Sequence, residues 1–186
     1  MSIRADGVTV AYPLFQAEGG GSIPTSALQF IIEPINAMTA KELVRRWHSR
    51  LPEIATPIGL LSAGISYGAE FDGRWYAAAI WTNPVARSLQ QHEWLELRRL
   101  AISPFAPKNT ASRMLSIMVR LIRKSRPEIK KLVSYQDTEV HTGGIYKAAG
   151  WEPTLKSNGD TWERPNRIRG VTQSAAVKQR WELAIS

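Results

Sequence analysis

Leu97-Arg98-Arg99-Leu100-Ala101-Ile102-Ser103-Pro104, continuing through Ala106-Pro107-Lys108-Asn109-Thr110-Ala111-Ser112-Arg113, is the stretch on which the fold turns. Leu95 to Ile102 predicts a strand, Ser103 to Pro107 its exit, and Asn109 or Thr110 the cap of a long helix. That helix has Met114, Leu115, Met118, Leu121 and Ile122 on one face, and by the same 100° step Arg113, Arg120, Arg123 and Lys124 on the other. Pro127 ends it. A helix N-terminus carries free amide donors and partial positive charge. The small residues here let a ligand phosphate approach the backbone, and Lys108, Ser112 and Arg113 add donors beside the capping Asn109 and Thr110. The spacing describes an anion site. It describes an ordinary capped helix equally well.

Upstream, Leu28 to Ile32 reads as a strand, and Thr39-Ala40-Lys41-Glu42 as a capping box opening a helix. Leu43, Val44, Trp47 and Leu51 recur at helical spacing, and Pro52 stops it. Ile65 to Phe71 and Trp75 to Trp81 flank Asp72-Gly73, a two-residue hairpin turn. Downstream, Lys131 to Tyr135 predicts another strand. A short helix holding Ile145, Tyr146 and Ala149 follows, closed by Gly150 with Trp151 behind it. Trp162 falls on a last predicted strand after the Gly159-Asp160 turn. The order is that of one α/β domain, a central mixed sheet flanked by helices, over residues 28–186. Residues 1–27, with Gly19-Gly20-Gly21 and Pro24, read as a flexible arm before it.

With 186 residues, 44% of them hydrophobic and 22% charged, the chain supports its own core. It contains no cysteine, which removes disulfides, thiolate nucleophiles and cysteine-ligated zinc. No signal peptide or membrane span is readable, so an intracellular, cytoplasmic protein is expected.

Charge is informative through its distribution. The net charge is +8, with 16 arginines against 8 lysines. Arg113 to Lys131 carries +6 and Arg164 to Arg180 carries +5, leaving about −3 on the rest. Concentrated arginine is the footprint of a polyanion partner. The bland alternative is a solvated helix face and a basic tail at 164–180.

His48, His92 and His141 are not paired at metal-binding spacing, although His48, His141 and Asp137 could meet in space as an open iron-type site. The spacing itself supports no metal. There is no Gly-x-Ser-x-Gly elbow, phosphate-binding Gly-Lys-Ser/Thr loop or Gly-rich dinucleotide fingerprint.

The strand, loop and helix around Leu97 to Arg113 resemble the acyl-CoA-binding core of the GCN5-related N-acetyltransferase (GNAT) superfamily. Gly143-Gly144-Ile145-Tyr146-Lys147-Ala148-Ala149-Gly150-Trp151 is similar to its short helix with a Tyr before a Gly-aromatic pair. A closer resemblance is to the Mom family of phage DNA-modification proteins. It is carried by Trp47-His48, Arg99-Leu100, Pro107-Lys108-Asn109, Ser112-Arg113, Leu132 to Thr138, His141 to Ala148 and Lys178-Gln179-Arg180-Trp181. The match covers most of the chain from about residue 39.

The resemblance implies conversion of adenine N6 in DNA to a carbamoylmethyl derivative that shields DNA from restriction. It places Asp137, Tyr146, His48, Arg99 and Ser112 at functional positions. One departure stands out: the superfamily's Gln/Arg-x-x-Gly-x-Gly/Ala loop is replaced by Pro107 to Ser112, without glycine. This leaves acetyl-CoA or another acyl or carbamoylmethyl donor open, held by Arg99, Lys108, Asn109, Thr110, Ser112 and Arg113.

Each residue also has a plainer role. Asp137 is a base, or it caps the following helix. Tyr146 protonates a leaving group, or it packs in the core with a bonded hydroxyl. His48 is a second proton carrier or metal ligand, or an ordinary helix residue. Arg99 binds phosphate, or it faces solvent. Arg120, Arg123, Arg167, Arg169, Lys178 and Arg180 are the expected DNA phosphate contacts, and Trp47, Trp75, Tyr76 and Trp81 the candidates for stacking an extruded base. Two other functions compete: an acetyl-CoA N-acetyltransferase on a small amine or protein, and a catalytically silent nucleic-acid-binding module. DNA and a small-molecule donor are the expected partners, with a homodimer left open.

Overall fold

The computed structural model describes residues 22–48, 64–157 and 176–185. A 3-10 turn at Ala27–Gln29 leads into β1 (Ile31–Pro34) and α1 (Ala37–Trp47). The hairpin is β2 (Ile65–Phe71) and β3 (Arg74–Thr82), followed by β4 (Trp94–Ile102) and α2 (Thr110–Ser125). β5 (Lys131–Asp137), α3 (Gly144–Ala148), β6 (Glu152–Ser157) and β7 (Lys178–Ala184) complete it.

Several expectations shift. The strand over 28–32 becomes the 3-10 turn, because Ser26 and Gln29 close a reciprocal capping box there, and pairing starts only at Ile31. Thr39 does not cap α1: Asn36 does, its Oδ1 accepting from Thr39 N at 2.8 Å. α1 ends at Trp47 with His48 as its C-cap, and Leu51 and Pro52 lie outside the described residues. So do residues 1–21 of the expected arm, whereas Ala27 at its end is buried in the core. Trp162, Arg167 and Arg169 also lie outside the described residues. Trp75, Tyr76 and Trp81 are buried in the two core clusters, which removes them as stacking platforms.

The sheet runs β1-β2-β3-β4-β5-β7-β6, and only β4 and β5 are parallel. Its faces are distinct. α1 packs with Ala78, Ile80 and Ala101, while α2 buries Met114, Leu115, Met118 and Ile122 against Trp81, Leu97 and Leu132 on the other side. Each buried Met, Leu or Ile among them stabilises the fold by roughly 1.5–3 kcal/mol. Pairing of β4 with β5 runs from Trp94↔Lys131 to Leu97↔Ser134 and stops. β4 continues beside β3 to Ile102, and β5 beside β7 to Asp137. The two parallel strands therefore part after Leu97 and Ser134. They leave a V-shaped opening at their carboxyl ends, the end at which open α/β sheets bind ligands.

Candidate active site

The opening is approached from both faces. On the α2 face, Ser134 sits at the apex with its Oγ 2.9 Å from Tyr146 Oη and 3.5 Å from Leu97 O. Tyr146 is held from α3 by a near-parallel stack on Trp181 (5.3 Å, 13°) and an edge contact with Trp151 (5.7 Å, 64°). Trp181 Nε1 donates to Gln136 Oε1 at 2.7 Å, and Gln136 Nε2 donates to His141 O. Burial pushes the Tyr146 phenol above its ordinary range, so it stays protonated. The sequence-predicted Tyr146 thus packs in the core with a bonded hydroxyl and also reaches the opening.

The same face carries a groove of about 660 Å³ along α2. Lys108, Asn109, Ser112, Arg113 and Arg120 line it, together with Thr25 to Leu28 from the far wall. Asn109 adopts the left-handed conformation, φ 67°, just before the first turn of α2. Asparagine tolerates that region better than other side chains, so the loop makes its bend without glycine. Arg113 Nε is buried and donates no hydrogen bond among the described residues, while Arg113 Nη2 donates to Leu28 O at 3.4 Å. An orphaned guanidinium N–H on the wall of a cationic groove fits a phosphate-bearing donor.

Two expected members are not part of that wall. Thr110 is buried, its hydroxyl donating to Pro107 O at 2.7 Å. Arg99 lies on the opposite face, because its register partner Ile80 packs in the α1 cluster. Arg120, expected on DNA, instead lines the groove. Arg123 Nε donates to Ile185 O at 2.8 Å and so ties α2 to the end of β7.

On the α1 face the remaining candidates gather. Leu132, Ser134 and Gln136 point to the α2 side, so the period-2 alternation of β5 turns Tyr135 and Asp137 the other way. Asp137 Oδ1 accepts from Glu139 N at 3.0 Å and closes the turn after β5; the N-cap of α3 is Gly143, so Asp137 does not cap that helix as the sequence allowed. His48 is brought close to both Arg99 and His141. Burial first, then the positive charge of Arg99 and the nearby His141, lowers its pKa to about 4, so the imidazole is neutral near pH 7. Arg99 Nη1 donates to Arg98 O at 2.8 Å, and burial lowers its pKa to about 10. Among the described residues no three His, Asp or Glu side chains converge to hold a metal ion.

Lys178 and Arg180 were expected on a basic tail. They stand instead on β7, opposite Asp137 and Tyr135, because β7 inserts between β5 and β6. Arg180 Nε is 2.8 Å from Glu182 Oε1 and 3.2 Å from Thr154 Oγ1, which removes it from a solvent-side phosphate grip. Sequence reasoning missed Ser134 as Tyr146's partner, Glu96 and the Trp181–Gln136 pair. The alternation of Lys178 to Ala184 was the available signal for β7, hidden by its basic start.

A mixed sheet that splays between two parallel strands, with the first leading into an anion-accepting helix terminus, is the GNAT fold. Solved structures agree. An IAA acetyltransferase from Bacillus cereus superposes with a TM-score of 0.61 at 13% identity, over 83% of this chain and 99% of that one. A Bacillus subtilis acetyltransferase in complex with CoA gives 0.61 at 11%, over 83% and 98%. A GNAT acetyltransferase from Elizabethkingia anophelis with acetyl-CoA bound gives 0.56 at 16%, over 84% and 98%. Within this fold the chain belongs to the Mom protein family, whose sequence profile matches residues 29–181. No curated protein matches it. Among the described residues no helix is long and apolar enough to cross a membrane.

Proposed function

We propose that this protein is a DNA-modifying transferase that converts adenine N6 to its carbamoylmethyl derivative, with the donor held along α2 and the adenine entering from the α1 face. The observation that carries the reading is that Tyr146 bonds Ser134 on one face of the opening while Asp137, at the end of β5, stands on the other, the face where His48 lies near Arg99 and His141, in a chain of the Mom family. The N6 lone pair is delocalised into the ring, so attack gains from proton removal. N6 bonds to the donor carbon, the bond from that carbon to its leaving group breaks, and one N6 proton departs. In this reading Asp137 takes that proton, and the protonated phenol of Tyr146 supplies one to the leaving group. Neutral His48 accepts a hydrogen bond or a proton but does not donate as an imidazolium.

For the carbamoylmethyl product the donor carries that group on a leaving group, and its methylene carbon is the electrophile; an acyl-CoA, which transfers through its carbonyl carbon, would give an N6-acyl adenine instead. Lys108, Ser112, Arg113 and Arg120 are the donor's candidate contacts. A base inside a duplex cannot reach the opening, so adenine is extruded or presented on a single strand. A second reading, acetyl-CoA N-acetylation of a small amine or protein, draws on Asn109, whose left-handed backbone offsets the missing loop glycine.

The test is plasmid DNA from cells expressing the protein, challenged with endonucleases whose sites contain adenine. Resistance with wild type and cutting with Asp137→Asn are expected. Full cutting in both, with folded protein present, contradicts the reading.

A further inference from the structure

Consecutive residues of a strand alternate faces, so Arg98 and Arg99 should point apart. They do not. The pairing of β3 with β4 slips between Ile80 and Trp81, so that Trp81 faces Leu97 while Ile80 faces Arg99, and Arg98 is the extra residue of a bulge. Leu95 and Leu97 pack on the α2 side, which leaves Glu96 on the α1 side. Arg98 Nε lies 3.5 Å from Glu96 Oε1, so the bulge re-aims Arg98 onto the face that Arg99 already occupies. Glu96 is itself anchored, its Oε2 accepting from Val85 N at 2.9 Å. Across the opening, Lys178 is the register partner of Asp137 on that same face.

We propose that Arg98, Arg99 and Lys178 form a clamp for a backbone phosphate of the DNA substrate, on the acceptor side of the opening and separate from the donor groove. The proposal rests on the DNA reading above. None of the three lines the α2 groove. Two come from β4 and one from β7, on either side of the point where β4 and β5 part. Arg98 is largely buried, with its side chain 16% exposed. Burial lowers the pKa of both Arg99 and Lys178. Arg98 adds to this at both, Arg99 adds to it at Lys178, and Glu96 and Asp137 oppose it. Three cationic side chains against the two carboxylates Glu96 and Asp137 leave this half-buried face with an excess of positive charge that an anion can meet. Two planar arginine forks match the oxygens of a phosphodiester.

The experiment measures oligonucleotide binding to the full chain by fluorescence anisotropy across a salt series, with Arg98→Gln and Lys178→Gln. Each variant is expected to weaken binding about tenfold and to lower the salt slope by about 1. CoA-induced thermal stabilisation should stay unchanged. Should Arg98→Gln fail to fold, Arg98→Lys retains the charge, loses the fork, and is expected to weaken binding while leaving the slope intact. Unchanged affinity and slope in folded variants overturn the clamp. So does a site that inorganic phosphate fills, at millimolar concentration, without displacing the oligonucleotide, since the ligand is then a free anion. If the wild type neither binds nor modifies DNA, the functional reading fails. If it does both and the variants match it, the clamp alone fails.

Discussion

Tyr146 is held on three sides, by Trp181, Trp151 and the Ser134 hydroxyl, so its oxygen has a fixed place at the apex of the opening. Tyr146→Phe keeps the ring packing and removes only that oxygen. Modification of DNA should then fall by about 10²–10⁴-fold, with the fold intact by circular dichroism. Ser134→Ala should lower modification less, and the double variant should lose no more than Tyr146→Phe alone, since both act through one hydroxyl. Additive losses would separate the two residues. His48 yields a prediction in pH. Its folded pKa, about 4, lies below the ordinary 6.5, so the folded state favours the neutral ring. The unfolded chain binds more protons between those values. Its contribution is therefore present above pH 6.5 and lost as pH falls toward 4. Thermal unfolding should show His48→Gln with a shallower fall of Tm over that window, and parallel curves would contradict the assignment.

At the scale of elements, β7 decides the site, because it supplies Trp181 to one face and Lys178 to the other. Its packing leaves a close approach at Gly143, where φ is 77° and an added Cβ would overlap Trp181 Cζ2 and lie 2.7 Å from Gln136 Oε1. Gly143→Ala should cost about 2–3 kcal/mol, a drop of several degrees in Tm, and should reduce activity by shifting Trp181. Gly150 has a similar φ of 79° but open space around it, so Gly150→Ala should cost about 1–2 kcal/mol. Equal effects would mean the contact with Trp181 is unimportant. The contrast between β7 and the hairpin explains what was readable. Asp72-Gly73 and its flanking alternation announce β2 and β3 from local chemistry, and both residues take the positive φ that such a turn needs. β7 pairs with β5 from more than 40 residues away, and its charged residues look like a tail until Asp137 stands opposite Lys178 and Glu182, two residues along the same strand, pairs with Arg180. Likewise Tyr146, Asp137 and His48 stand out in the sequence only one residue at a time, as candidates. The parting of β4 and β5, which assigns them to opposite faces, is a long-range property.

At the scale of the molecule, two groups of basic residues stand apart among the described residues: Arg113 and Arg120 line the groove proposed for the donor, whereas Arg98, Arg99 and Lys178 stand on the face proposed for the acceptor. Charge removal should therefore split. Arg120→Gln should weaken stabilisation by CoA or the true donor with little change in the salt slope of DNA binding, and a large change in that slope would return Arg120 to the DNA side. The most direct test of the central claim is mass spectrometry of nucleosides digested from DNA of cells expressing the protein. A new adenine nucleoside bearing a carbamoylmethyl group, absent with Asp137→Asn, is the predicted result. Unmodified DNA from cells holding folded wild-type protein would contradict it.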